Sequence, residues 1–281
     1  MKFTNGFSMG QFVPGESRIH ALDPRCKIIG MFILLAVPFS AEKPPDFIPA
    51  VFCLYAISAT SGIRFATLLR AGRPVLFLIA FTAILNLFWT PGHEIARLGP
   101  MRFTSEGLTL AFCMSLRIYC LVMMAAALMM TTSPMDFASG AERLMSPLAI
   151  LKFPVSEIAM MMTIALRFIP TLFEESERIM KAQISRGADF ESGGPLKRAR
   201  AYIPILAPLF IQVFIRADNL ATAMESRCYV PGAPRTRLNP LVWHSRDTAA
   251  MTCVIASLVF SLVWNRYIYR LAALLCPEWL F

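Results

Sequence analysis

Two short arginine-bearing stretches are the strongest candidates for chemistry in this 281-residue chain. Ala182-Gln183-Ile184-Ser185-Arg186-Gly187 and Ala223-Met224-Glu225-Ser226-Arg227-Cys228-Tyr229 each set an arginine between two small residues at the expected end of a helix. A guanidinium is a planar fork of donors that matches a carboxylate bidentately. Small neighbours let it project from a narrow helix tip into a groove of a partner. A local reading is also available: a cation complements the negative end of a helix, and Gly187 suits a C-terminal cap. One such tripeptide is commonplace. Two of them in one basic segment point to docking rather than to catalysis.

Other reactive side chains are placed less suggestively. Glu174, Glu175 and Glu177 form the only dense acidic cluster, and with Arg178 and Lys181 they read as a solvated helix face. His20, His93 and His244 are far apart in sequence. None of the seven cysteines forms a CxxC, and most lie in apolar runs, so they read as small packing residues without metal-ligand spacing. Arg117 is the main ionisable residue inside an apolar run, and an interhelical contact accounts for it. The chain has no GxxxxGK[ST] loop with which to bind ATP itself, and no GxSxG, HExxH or dinucleotide-binding glycine pattern. Neither a cofactor nor a metal is expected in this chain.

The elements that carry these residues belong to a membrane protein. Hydrophobic residues make up 56% of the chain and charged residues 16%, and the mean hydropathy is +0.57, beyond the range of a soluble domain. The net charge of +9 fits cytoplasmic loops rich in Lys and Arg. With no basic stripe carrying stacking aromatics, no nucleic-acid partner is expected. Met1 to Gly15 is polar and Gly-rich and does not read as a cleavable signal. Apolar runs predict spans at Ile28–Ala41, Phe47–Ser61, Pro74–Trp89, Gly107–Met130 and Thr248–Trp264, with Asp23 and Pro24 opening the first helix.

The basic residues Arg18, Arg25 and Lys27, then Arg64, Arg70 and Arg73, then the stretch from Thr131 to Asp247 fall on one side if the N-terminus is cytoplasmic. The loop from Pro91 to Glu106 then faces outward. The expected fold is an all-α integral membrane protein of about five transmembrane helices. A cytoplasmic coupling domain of about three helices lies between the fourth and fifth spans. The divisions are 1–131, 132–246 and 247–281.

Within the insert, a short helix follows Ser133-Pro134. A long one starts after Pro154, with Ser156 as its candidate cap, and runs to about Ser185, and a third runs from near Pro195 to about Arg227. The stretches Ile158–Phe173 and Tyr202–Ile215 are apolar enough to imitate spans. They are expected to fall short of full spans, because Arg167 interrupts the first and Pro204 and Pro208 shorten the second. They instead offer a partner membrane helix a greasy surface, with Met161, Met162, Phe168, Leu209 and Phe210 as contact candidates and methionine supplying deformability.

The order of motifs resembles the transmembrane (T) component of energy-coupling-factor (ECF) transporters, the EcfT or CbiQ-like family. Pro14-Gly15-Glu16-Ser17, His20 and Leu22-Asp23-Pro24-Arg25-Cys26-Lys27 resemble the family's start. Leu166-Arg167-Phe168-Ile169-Pro170, Glu174 and Ala182-Gln183 leading to Ser185-Arg186-Gly187 resemble its first coupling motif. Arg216-Ala217-Asp218, then Ala223 to Arg227, Tyr229 and Pro234-Arg235-Thr236 resemble its second. Ser-Arg-Gly and Ser-Arg-Cys stand where the family often has Ala-Arg-Gly.

The resemblance implies a non-catalytic scaffold in the bacterial cytoplasmic (inner) membrane. Two separate cytoplasmic ABC ATPase subunits bind ATP and Mg and receive the two tips, Ser185-Arg186-Gly187 and Ser226-Arg227-Cys228, one each. A substrate-binding (S) membrane subunit carries a vitamin or a transition-metal ion and is toppled when the coupling helices move. A self-contained secondary transporter is the alternative, and would need a polar path through the spans. An integral-membrane enzyme with its site in the insert is a third reading.

Overall fold

The computed structural model describes residues 12–15, 17–98, 101–151, 153–190, 194–232 and 241–275. Among these the chain is α-helical apart from short 3₁₀ segments and one two-stranded hairpin. It divides into two compact units. Residues 10–140 with 240–281 form the first, and residues 141–239 are the body of the second.

In the first unit, α1 (Pro24–Ser40) starts where the Asp23 side chain accepts the Arg25 amide, with Pro24 in the first turn. After a 3₁₀ turn at Pro44–Phe47 come α2 (Ile48–Ser61), α3 (Phe65–Ala71) and α4 (Leu76–Trp89). The long α5 (Ser105–Thr131) begins at Thr104, whose side chain accepts the Gly107 amide. At α6 (Pro134–Met145), Ser133 Oγ accepts the Asp136 amide at 3.1 Å, as expected of a cap. The last helix of the unit is α10 (Ser245–Leu275).

Helix α5 is the axis against which α1, α2, α3 and α4 pack, and α1 packs on α10 as well. The core joins Met31, Leu34 and Val37 of α1, Cys53 and Leu54 of α2, Leu68 of α3, and Cys120, Met123, Met124 and Met130 of α5. Small and flexible residues at these positions let the helices approach closely. Helix α4 has no buried residue; Phe77, Phe81, Ile84 and Trp89 are exposed, while Ile79, Ala83, Leu87 and Phe88 are half-buried.

Among the described residues, five helices are long and apolar enough to cross a membrane: Phe65–Trp89, Ser105–Thr131, Val155–Ser185, Leu196–Glu225 and Ser245–Tyr267. The number agrees with the sequence reading, but the set differs. Helices α1 and α2 have 17 and 14 residues, about 25 and 21 Å, against a hydrocarbon core of about 30 Å. The two insert stretches set aside as short belong to longer helices. The prolines and Arg167 do not break them. Arg167 and Pro170 lie inside the 31 residues of α7 (Val155–Ser185). Pro204 sits in the first turn of α9 (Ile203–Glu225), and Pro208 is absorbed inside that helix.

The loop expected from Pro91 to Glu106 contains an antiparallel hairpin pairing β1 (Glu94–Leu98) with β2 (Met101–Thr104).

The second unit carries a 3₁₀ segment at Ser146–Leu151, then α7, α8 (Pro195–Ala201) and α9. Helix α7 starts at Val155 without a side-chain cap, so Ser156 is not the cap expected of it. The single third helix expected from Pro195 is two helices, α8 and α9, parted at Tyr202. Helices α7 and α9 pack together, and Gln212 Nε2 donates to Glu175 Oε1 at 3.0 Å. Among the described residues of this unit only Val155, Ala159 and Ile205 are buried hydrophobics. Its apolar surface is therefore left for lipid or a partner to cover.

Candidate functional site: two arginine-tipped helix ends

Helices α7 and α9 end in the same way. At the first, the Ala188 amide donates to Gln183 O at 3.0 Å and the Gly187 amide to Ile184 O at 2.9 Å. At the second, the Tyr229 amide donates to Met224 O at 3.0 Å and the Cys228 amide to Glu225 O at 2.9 Å. Both are Schellman terminations, in which the residue after the arginine turns left-handed and the last carbonyls are satisfied. Gly187 has φ 87° and Cys228 φ 56°. Glycine adopts this conformation freely. Cys228 does not, and it is the only non-glycine residue with positive φ among those described.

The chain thus builds one geometry twice from two sequences. In each, the serine before the arginine turns its hydroxyl back onto its own helix: Ser185 Oγ donates to Lys181 O at 3.1 Å and Ser226 Oγ to Ala223 O at 3.0 Å. What remains facing out is the arginine. Arg186 and Arg227 are exposed, and neither guanidinium has a hydrogen-bond or ion-pair partner among the described residues. The bonds that close each tip are made by the backbone, so each arginine is displayed rather than used internally.

Strain at Cys228 gives a test. Cys228→Gly is expected to stabilise the α9 terminus by about 1 kcal/mol, since a left-handed residue with a Cβ costs roughly that much. Hydrogen exchange at the Tyr229 amide, which closes the turn, reads it directly. Exchange should slow by about fivefold, whereas unchanged exchange would show that Cys228 carries no such strain.

The other charged candidates have partners. Arg117 donates through Nε to Pro38 O at 3.2 Å and through Nη2 to Ala41 O, which makes it the interhelical contact expected of it. Lys181 Nζ lies 2.9 Å from Glu177 Oε1, and Arg178 Nη1 3.6 Å from Glu175 Oε2, so the half-buried Glu175 and Glu177 are paired with exposed cations, while Glu174 is exposed. Cys26, Cys53, Cys113 and Cys120 are buried free thiols. No group of three or more His, Cys, Asp or Glu among the described residues could hold a metal ion.

Met161, Met162 and Phe210 are exposed, while Phe168 and Leu209 are half-buried, so three of the five surface candidates are openly displayed. Glu16, Pro234-Arg235-Thr236, Cys276 and the segment from Met1 to Gln11 lie outside the described residues. Sequence reasoning gave no role to Asp247, which is 2% exposed and bonded to two backbone amides. Its partner Asp23 stands 224 positions earlier, beyond the reach of any local pattern.

Long apolar helices with many exposed apolar side chains define a polytopic membrane protein. The sequence profile of the CbiQ family, described as cobalt transport protein, matches residues 15–238. The chain is 49% identical over 263 residues to the energy-coupling factor transporter transmembrane protein EcfT of Thermanaerovibrio acidaminovorans, across 92% of this chain and 98% of the relative. It is 44% identical over 262 residues to the EcfT protein of Thermosediminibacter oceani, across 92% and 98%. It is 40% identical over 259 residues to that of Bacillus subtilis, across 90% and 97%. The chain belongs to the EcfT/CbiQ family of energy-coupling factor transporter transmembrane components.

Proposed function

We propose that this chain is the membrane scaffold of an ECF-type ATP-driven importer. It joins two separate cytoplasmic ATPase subunits to a substrate-binding membrane subunit that takes up a vitamin or a transition-metal ion. The observation that carries the reading is the pair of matched helix ends, each displaying one unpartnered guanidinium. Two equivalent tips suit two equivalent sockets. Ser185, Arg186 and Gly187 form one docking tip, and Ser226, Arg227 and Cys228 the other. A carboxylate in each ATPase groove is the complementary group.

The chain lacks a phosphate-binding loop, so ATP and Mg belong to the partner ATPases and the chain itself catalyses nothing. The N-terminus and the domain spanning 132–246 lie on the cytoplasmic side of the bacterial inner membrane in this reading, which the distribution of Lys and Arg supports. The exposed apolar surface of α7 and α9, with Met161, Met162 and Phe210 outermost and Phe168 and Leu209 beside them, is the contact for the substrate-binding subunit.

Co-expression with ABC ATPases and a substrate-binding subunit tests this. One copy of the chain is expected to co-purify with two ATPase subunits, and import into vesicles is expected to require ATP. Uptake by the chain alone, without ATPases, would overturn the reading in favour of a self-contained secondary transporter.

A further inference from the structure

The N-terminal segment grips the first unit at the end of α5, from which the chain runs on through α6 to the second unit, and at the start of α10, where it has returned. Val13 donates its amide to Met130 O at 3.0 Å, near the end of α5. The His20 ring is fixed between Ser17 Oγ, 2.6 Å from Nδ1, and Val13 O, 3.0 Å from Nε2. Lys27 Nζ then donates to His20 O at 2.9 Å and to Thr131 O, the last residue of α5, at 3.1 Å.

The same few residues reach the start of α10. Asp247 Oδ1 accepts the Asp23 amide at 2.8 Å, while its Oδ2 accepts the His244 amide at 2.8 Å. Arg25 Nη2 donates to Leu241 O at 2.8 Å, and Cys26 Sγ to Asp247 O at 3.4 Å. Asp23, Arg25 and Cys26 thus bond to the return at Asp247 and Leu241, and Lys27 bonds to the end of α5 at Thr131. Gly140 of α6 lies so close to this turn that a Cβ on it would come within 2.9 Å of Pro24 Cβ.

Polarity is what sets the contact apart from ordinary core. Asp23 and Asp247 are 7% and 2% exposed, and Arg25 Nε lies 3.6 Å from Asp23 Oδ1. Buried carboxylates destabilise unless they are bonded, and a partly broken network of this kind is worse than none. Asp23 Oδ2 and Arg25 Nε have no hydrogen-bond partner among the described residues, so the bonds that are made between these buried groups are the ones whose loss is costly.

We propose that this clasp is the fixed base of the coupling segment. Lys27, Asp23 and Asp247 are positioning residues that hold the end of α5 at Thr131, which leads through α6 to the second unit, and the return at Leu241 at constant separation. Force applied at the arginine tips is then transmitted through α7 and α9 and is not dissipated by the two roots drifting apart. The inference rests on the coupling role proposed above.

The test uses the whole complex, chain with ATPases and substrate-binding subunit, in proteoliposomes. Lys27→Met removes two donors and Asp247→Asn sets a donor against the His244 amide. Both are expected to retain assembly and ATP hydrolysis while import per ATP hydrolysed falls at least about fivefold, the lower end of ordinary coupling strengths. Lys27→Arg should restore most of the loss. In the unaltered complex the amides of Asp23 and His244 are expected to stay equally protected from hydrogen exchange with and without ATP.

Unchanged import per ATP in Lys27→Met would overturn the proposal. So would hydrolysis and import falling together, which marks a merely structural role, or protection that disappears when ATP binds. If Asp247→Asn does not fold, Lys27→Met and the exchange measurement decide alone. A chain that never assembles with ATPases would remove the coupling reading itself, whereas assembly with coupling intact in the variants removes only the clasp.

Discussion

Alanine at both Arg186 and Arg227 is expected to release the ATPase subunits while leaving the chain folded in the membrane. The two halves of that expectation have separate grounds. The tips hold their shape through backbone bonds to Gln183, Ile184, Met224 and Glu225, and neither guanidinium takes part. Surface substitutions of this kind usually change stability by less than about 0.5 kcal/mol. Docking is different. If each guanidinium is desolvated against a carboxylate, removing it costs about 2–5 kcal/mol per tip, much of it from the partner charge left buried and unpaired.

Each single variant should therefore weaken docking at least about thirtyfold, and the double variant should abolish co-purification. Arg→Lys should recover only part, because an ammonium cannot make both bonds of the fork. The measurement is co-purification of the ATPases from detergent alongside the thermal midpoint of the chain. Unchanged assembly and transport in the double variant would remove these arginines from the docking site.

The residue pattern made some of this visible before any coordinates. Asp23 and Pro24 opening α1, Ser133 capping α6 and Gly187 closing α7 are local signals, because each cap is made within a few residues of itself. The membrane class followed from hydropathy, which needs no tertiary information. The extent of α7 follows closely from the sequence, but Arg167, Pro204 and Pro208 set its apolar stretch and that of α9 aside as spans. Arg167 lies inside α7 and Pro208 inside α9, where a membrane-type helix tolerates the missing donor of a proline.

Cys228 could not be read as a left-handed residue, since its side chain argues against that conformation. The Schellman bonds impose it, and a matching geometry at Gly187 emerges only when backbone torsions are compared. Both arginines were legible, being marked by the small residues around them. The clasp was not. Its residues were quoted as a motif, but Lys27 meets Thr131 across 104 positions and Asp23 meets Asp247 across 224, and no periodicity reports such pairings.

A third arginine behaves in the opposite way, and the contrast separates docking from folding. Arg117→Met is expected to lower the thermal midpoint of the chain and to leave ATPase docking intact below the new midpoint. Pro38 and Ala41 stand at the C-terminal end of α1, where the last carbonyls have no amide partner within the helix and the helix dipole is negative. Arg117, reaching from α5, donates to both of these carbonyls. Asn265 of α10 donates through Nδ2 to Ser40 O at 2.7 Å. The end of α1 is thus capped by side chains of two other helices, in an apolar setting with little water to take their place.

Methionine keeps the length of the side chain and removes every donor, so the carbonyls are left unsatisfied at a cost of about 3 kcal/mol. For a chain of this size that corresponds to a fall of roughly 5–10 °C. Arg117→Lys should lie between, since a point charge satisfies one carbonyl better than two. An unchanged midpoint in Arg117→Met would mean that α1 is closed by other groups. Lost docking at an unchanged midpoint would mean that Arg117 acts on a partner rather than on its own chain.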